Sequence, residues 1–269
     1  MSVLLQISDT HFGTEQAPVV AALEALVRDT QPALVVLSGD ITQRATRAQF
    51  GAARAFMDRL PVPWVAIPGN HDIPLFQLGA RLLTPYGRYV EAFGAELEPE
   101  FVSPDWLVVT VNTTRWYRHT DGEVSEAQIE RVARRLERAT PAQVRIVVTH
   151  QPVLVTRPED RGNRLHGADA ALRRWAAAGA DVVMGGHIHL PFVRPAQDAD
   201  ASLSRALWTV QAGTAVSSRV RGGQPNSVNL LRPGGMSGPR SCTVERWDHA
   251  AAEGRFVPGQ VHTLALADV

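Results

Sequence analysis

Cysteine is almost missing from this chain: Cys242 is the only one in 269 residues. No internal disulfide can form, and nothing argues for an oxidising compartment. Net charge is missing too, because 27 Lys and Arg balance 27 Asp and Glu. A neutral chain has no general attraction to nucleic acid or to an acidic membrane, although a local basic patch stays open. A nucleic acid polymer is therefore not an expected partner. No window approaches the ~20 uninterrupted apolar residues of a transmembrane helix, so stable membrane insertion is not expected either. Met1 to Ser8 runs directly into an expected strand, without the basic, apolar and cleavage-site segments of a signal peptide. Repeats, low-complexity tracts and a clear linker are also lacking. What remains is a chain with 45% hydrophobic residues, long enough for one sizeable core. The expectation is a cytoplasmic protein with one domain over 1–269.

Val3 to Ser8, Ala33 to Leu37 and Val62 to Ile67 read as short buried strands, because continuous apolar runs suit strands covered on both faces. Between them, Val20, Leu23, Leu26 and Val27, then Phe50, Phe56, Met57 and Leu60, carry helical spacing. Strand and helix alternate again through Leu107–Val111, a helix opened by the Ser125/Gln128 capping box, Arg145–Thr149, Asp169–Ala178 and Asp181–Met184. Such alternation predicts a layered α/β fold with parallel crossovers. Residues 74–94 mix Pro, Gly and aromatics and predict short helical pieces forming a cap or side wall. After Pro191 the helical spacing disappears. Runs at Ala206–Gln211, Val228–Leu231 and Cys242–Trp247 predict a mainly antiparallel tail, so 1–190 holds the motifs and 191–269 is expected to complete the second sheet.

Chemistry-bearing residues sit where the strands end. Asp9 and His11, Asp40, Asn70 and His71, His150, and His187 with His189 follow five separate strands. Loops at the carboxyl ends of parallel strands gather around one crevice, so these residues can converge. Asp9 and His11 are two apart, as are His187 and His189, and in extended backbone such pairs point the same way. Gly69 allows a backbone conformation that a Cβ resists. Carboxylate, imidazole and amide oxygen together suit divalent manganese, iron or zinc rather than copper(I) or an iron–sulfur cluster.

The pattern Asp9-x-His11, Gly39-Asp40, Gly69-Asn70-His71-Asp72, His150 and Gly186-His187-x-His189 resembles the calcineurin-like metallophosphoesterase superfamily. The likeness runs from residue 3 to about 190 and is greatest to the bacterial class III cyclic-nucleotide phosphodiesterases. It implies a four-layer αββα sandwich, with two mixed β-sheets packed face to face and helices outside. It also implies two divalent metal ions, manganese, iron (ferrous or ferric) or zinc, on the order of 4 Å apart. Asp9, His11, Asp40 and His189 would hold one and Asp40, Asn70, His150 and His187 the other, with Asp40 bridging. A metal-bridging hydroxide would attack phosphorus in line. His71 would stabilise the phosphoryl oxygens and protonate the leaving alkoxide, and Asp72 would orient His71 or hold the loop. The implied substrate is a small phosphate ester, first a 3′,5′-cyclic nucleotide; a phospholipid, a nucleotide-sugar or a phosphomonoester stays open on the same site. A protein that keeps the metals without catalysis is the remote alternative. The cyclic-nucleotide branch contains dimers, which leaves a homodimer open.

Substrate contacts beyond Asn70 and His71 are expected from the Arg115-Trp116-Tyr117-Arg118-His119 stretch. Arginine forks match phosphate and the aromatics can stack; a solvated loop or oligomer contact competes. His166 is balanced between a pocket role and a helix-start or surface position. Arg219 and Arg221 could reach the pocket rim, but a solvated face is the first reading. Trp175 and Trp247 read as core and Cys242 as a buried structural residue.

Overall fold

The computed structural model describes residues 2–118, 120–203, 205–235 and 238–268. His119 lies outside the described residues. The chain runs β1 (Leu4–Ile7), α1 (Ala17–Thr30), β2 (Leu34–Leu37), α2 (Arg47–Arg59), β3 (Trp64–Ala66), α3 (Leu78–Leu83), α4 (Gly87–Phe93), β4 (Glu100–Val102), β5 (Trp106–Thr110) and α5 (Glu126–Leu136). It continues through β6 (Val144–Val148), α6 (Ala168–Ala177), β7 (Val182–Gly185), β8 (Phe192–Pro195), β9 (Trp208–Gln211), β10 (Ser227–Pro233), β11 (Ser241–Ala250) and β12 (Arg255–Ala265). Among the described residues, no helix is long and apolar enough to cross a membrane.

The strands form two six-stranded sheets, ordered β12-β11-β10-β1-β2-β3 and β4-β5-β6-β7-β9-β8. Both are mixed. β1, β2 and β3 run parallel while β10 to β12 join antiparallel; β5, β6, β7 and β9 run parallel between antiparallel edges β4 and β8. Side-chain alternation then makes four layers. Leu4, Leu34 and Val36 meet Val108, Ile146 and Met184 between the sheets. Leu5, Val35 and Leu37 face the other way, onto Val19, Leu23, Phe50 and Phe56 of α1 and α2. Leu107, Val109 and Val147 pack on Ile129, Leu172 and Trp175 of α5 and α6. The Ser125/Gln128 capping box forms as its sequence predicts.

One expectation is corrected here. The segment after 191 does not complete a single sheet: β8 and β9 extend the second, whereas β10 pairs with the open edge of β1 and carries β11 and β12 with it. β1 is fully buried, so its second row of backbone groups must find a partner strand. The local pattern announces strands but not which edge they satisfy. β12 escapes the local pattern altogether because it contains Pro258 and Gly259. It lies at the sheet edge, and Pro258 pairs with Trp247 beside a register shift between Glu245 and Trp247; there a missing N–H breaks no ladder. At the end of the strands away from the site, Arg240 clamps Asp181 with bonds of 2.9 and 3.1 Å, joining the two sheets.

Candidate metal centre

The parallel strands of both sheets end on the same edge of the sandwich, and short backbone bonds lock the loops leaving them. Asp9 N–H donates to Gly39 O at 3.0 Å, His11 N–H to Asp40 O at 2.9 Å and Gly186 N–H to His150 O at 2.9 Å. The donor atoms of Asp9, His11, Asp40 and His189 lie within 4.8 Å of one another, and so do those of Asp40, His150 and His187. Asn70 joins the second group through Oδ1, 3.2 Å from His150 Nε2. The seven candidate ligands thus converge, but not by extended backbone as their spacing predicts. Asp9, His11, Asp40, His187 and His189 take φ of 52°, 42°, 48°, 73° and 54°, the left-handed region that bulky residues avoid. Strain of this kind persists where the surroundings over-determine it, and it clusters at functional sites.

Asp40 stands between the groups. Its Oδ2 lies 3.7 Å from His11 Nε2 and its Oδ1 3.2 Å from His150 Nε2. Gly69 serves this position through its size: its φ of −99° is ordinary, but a Cβ there would collide with the Asp40 backbone nitrogen and carboxylate. His150 Nδ1 lies 2.9 Å from Ser38 O and His189 Nδ1 2.6 Å from Arg219 O. Donation to those carbonyls leaves each Nε2 lone pair directed into the cluster, the arrangement common behind ligating imidazoles. His187 Nδ1 is buried without a hydrogen-bond partner, a costly state for a nitrogen unless a cation completes it. The donor set therefore fits a pair of divalent cations.

The charges are poised accordingly. Burial depresses the His11 and His187 imidazoles to about 3 and about 4. Burial also acts on His150, but the adjacent Asp40 carboxylate outweighs it and lifts His150 to about 9. His189 is raised likewise, Asp9 overcoming the burial. Burial opposes ionisation of Asp40, yet its histidine neighbours hold it well below the usual carboxylate range. At pH 7 the ion-free protein accordingly keeps a proton on His150, which a cation must displace to reach Nε2. Metal uptake at pH 7 is expected to release protons, with affinity climbing as pH rises toward about 9. Calorimetry in buffers of different ionisation heat counts them, and an uptake without proton release contradicts this.

His71 stands beside the ligands without joining them. Its ring meets that of His11 edge-on at 4.8 Å between centroids. Its Nδ1 lies 3.0 Å from Gln43 O and its Nε2 3.4 Å from Arg219 Nη1. Asp72 makes no hydrogen bond to that ring. Oδ1 accepts from Thr42 N–H and hydroxyl at 2.8 Å each, and Oδ2 from Gly69 N–H at 2.8 Å and Ile41 N–H at 3.0 Å. Of its two expected roles, holding the loop is the one its contacts express. Asp72→Ala leaves four buried donors without an acceptor and is expected to cost about 3 kcal/mol. Urea unfolding measures this; a loss within about 1 kcal/mol contradicts it.

Other expected contacts lie elsewhere. Arg115 turns away from the metal centre: its guanidinium binds the Asn112 and Thr114 carbonyls at 2.9 and 2.8 Å and Gln128 Oε1 at 2.6 Å. The two carbonyls belong to the loop after β5 and Gln128 to the first turn of α5, and together they consume the fork that phosphate would need. His166 is half exposed and bonded to Asp121 at 2.5 Å, outside the cavity over the ligands. That cavity, of about 280 Å³, is instead bordered by Arg219 and Arg221. Arg221 donates to buried Asp160 at 2.7 Å, and Arg219 to Gln43 Oε1 at 2.8 Å. Both follow β9, which the structure shows to be a parallel strand of the second sheet.

Residues 2–191 match the family model for calcineurin-like phosphoesterases. A probable cyclic nucleotide phosphodiesterase from Synechococcus sp. is 28% identical over 162 residues, 56% of this chain and 59% of that protein. The chain thus spans less than two thirds of this curated relative. A dimetal phosphatase from Danio rerio superposes with a TM-score of 0.65 at 14% identity, covering 99% of each chain. A purple acid phosphatase from yellow lupin (Lupinus luteus) seeds superposes with a TM-score of 0.66 at 12% identity, over 98% of this chain and 53% of that one. At these identities the two structures show a shared fold.

Proposed function

This chain belongs to the calcineurin-like phosphoesterase family, and from that premise we propose that it is a dinuclear metal-dependent phosphodiesterase whose leading substrates are 3′,5′-cyclic nucleotides. One observation carries the reading: the two carboxylate oxygens of Asp40 face two separate imidazole groups, His11 at 3.7 Å and His150 at 3.2 Å. A single carboxylate so placed can bridge two cations. The first would be held by Asp9, His11, Asp40 and His189, the second by Asp40, Asn70, His150 and His187. Manganese, iron and zinc all suit these donors. When bound, such a pair supplies positive charge to the phosphoryl group and makes hydroxide available near neutral pH.

The chain's own groups do the rest. The carbonyls of Ser38 and Arg219 fix the rotation of His150 and His189. With Nδ1–H of His71 donated to the Gln43 carbonyl, Nε2 is the nitrogen free to act on the substrate. In the doubly protonated imidazolium form its Nε2–H would pass to the departing alkoxide and leave the neutral Nδ1–H imidazole. Arg219, at 3.4 Å from that Nε2, can pair with a phosphoryl oxygen. The likeness to the probable cyclic nucleotide phosphodiesterase of Synechococcus sp. supports the cyclic-nucleotide choice. The test is hydrolysis by manganese-, iron- or zinc-loaded protein of cyclic AMP, cyclic GMP, bis(p-nitrophenyl) phosphate, glycerophosphodiesters, UDP-sugars and p-nitrophenyl phosphate. Cyclic nucleotides and the chromogenic diester are expected to be cleaved, and failure on both contradicts the proposal. A second reading, a lipid phosphoester, is favoured by one feature: Phe76, which lines the cavity next to the site, and Leu78, Leu82 and Leu83 of the following α3 are 56–84% exposed. It requires cleavage of the lipid-bearing esters and none of cyclic AMP.

A further inference from the structure

Beside the metal centre lies a second, larger cavity of about 540 Å³. It shares Asn70, His71 and Arg219 with the smaller one over the ligands. His71 and Arg219 therefore stand at the boundary between two compartments. If His71 is the proton donor, the leaving oxygen of a phosphoryl group over the ligands would face Nε2, and the group attached to it would extend into the larger compartment that His71 also borders. Its lining combines two chemistries. Ile73, Leu75 and Phe76 present apolar surface, and Gln43, Arg44 and Gln77 present donors and acceptors. The Arg44 guanidinium lies over the Phe76 ring, 5.4 Å from its centroid. Among the described residues it makes no side-chain hydrogen bond, although its backbone N–H does, to Gln49 Oε1 at 2.8 Å.

We infer that this compartment is a nucleobase subsite in which Phe76 and Arg44 are the specificity-determining residues. This rests on the phosphodiesterase reading above. A planar heterocycle can stack on the Phe76 ring or on the guanidinium plane, as bases do on aromatic and arginine platforms. Its ring nitrogens and exocyclic groups then take the donors of Arg44 and the amides of Gln43 and Gln77. An acyl chain would cover Phe76 but offer no acceptor to the Arg44 guanidinium or to the Gln43 and Gln77 amide N–H groups. The volume lies within the range of small-ligand sites. Both residues belong to loops after β2 and β3, the same strand ends that supply Asp40, Asn70 and His71, so the subsite is held in register with the chemistry.

Phe76 and Arg44 are solvent-exposed, so their truncation leaves the core untouched, and circular dichroism verifies the fold. Calorimetric affinities of the metal-loaded protein for 5′-AMP and for inorganic phosphate separate the base from the phosphoryl group. Wild type is expected to bind 5′-AMP more tightly than phosphate. Phe76→Ala and Arg44→Ala are each expected to weaken 5′-AMP about ten-fold, leave phosphate unchanged, and raise KM for cyclic AMP with little change in kcat. Equal losses for 5′-AMP and phosphate, or unchanged 5′-AMP affinity in both variants, overturn the subsite. Cyclic AMP hydrolysis with base-independent binding overturns the subsite alone. Base-dependent binding without cyclic AMP hydrolysis supports the subsite and overturns the choice of ester.

Discussion

Asp40→Asn is expected to lower phosphodiester hydrolysis on the order of 1,000-fold or more. Charge stabilisation by a metal pair supplies several kcal/mol to such a reaction, and each 1.36 kcal/mol is a factor of ten in rate. The substitution keeps the size of the side chain and its acceptor for the His71 N–H, which Asp40 Oδ1 receives at 2.9 Å. It removes the charge shared between the His11 and His150 groups. Metal content is therefore expected to fall together with activity, while the unfolding transition of the ion-free protein stays cooperative. An ion-free signature accompanies it. Asp40 outweighs burial to lift His150 to about 9, so the pair stabilises the fold fully below the ordinary histidine value and loses that contribution as pH rises through about 9. In the Asn variant His150 is expected to titrate lower, read from its imidazole resonances. Retention of both the metals and the rate would show that Asp40 is not the bridge.

His71→Ala is expected to lower kcat by roughly 100- to 10,000-fold, the usual worth of a positioned general acid, with metal content unchanged. The ring bonds Gln43 O and Arg219 and packs edge-on against the His11 ring but joins none of the hydrophobic core clusters, so stability should move little. The size of the loss should depend on the leaving group. An alkoxide needs a proton as it departs, whereas p-nitrophenolate leaves without one. Cyclic AMP is therefore expected to suffer much more than bis(p-nitrophenyl) phosphate. Equal losses on the two substrates would remove His71 from the proton-donor role and leave it only electrostatic contact with the phosphoryl oxygens.

These residues were legible because each sits immediately after a short buried strand, and strand ends are local features. Asp9, Asp40, Asn70, His150 and His187 needed only the rule that parallel strands share an active edge. The manner of their convergence was not legible: left-handed backbone at Asp9, His11, His187 and His189 is imposed by cross-loop hydrogen bonds, not by the residues' own preferences. For Arg219 and Arg221 the sequence offers both the pocket rim and a solvated face, with the solvated face as the first reading. Only the pairing of β9 with β7, residues 182–185 against 208–211, shows that their loop belongs to the same edge. Arg115 shows the reverse limit. Its residue type suited phosphate, but the carbonyls of Asn112 and Thr114 and the α5 capping glutamine claimed the guanidinium. β12 was hidden by Pro258, whose tolerance depends on an edge position and a bulge in its partner.

The most direct test of the centre is a metal count. Protein reconstituted with manganese, zinc or iron and freed of unbound ion is analysed by inductively coupled plasma mass spectrometry beside Asp40→Asn. Two ions per wild-type chain, falling to one or none in the variant, is the expected result. A wild-type chain that retains none of the three metals, or one whose two ions survive loss of the Asp40 charge, would contradict the shared-carboxylate centre.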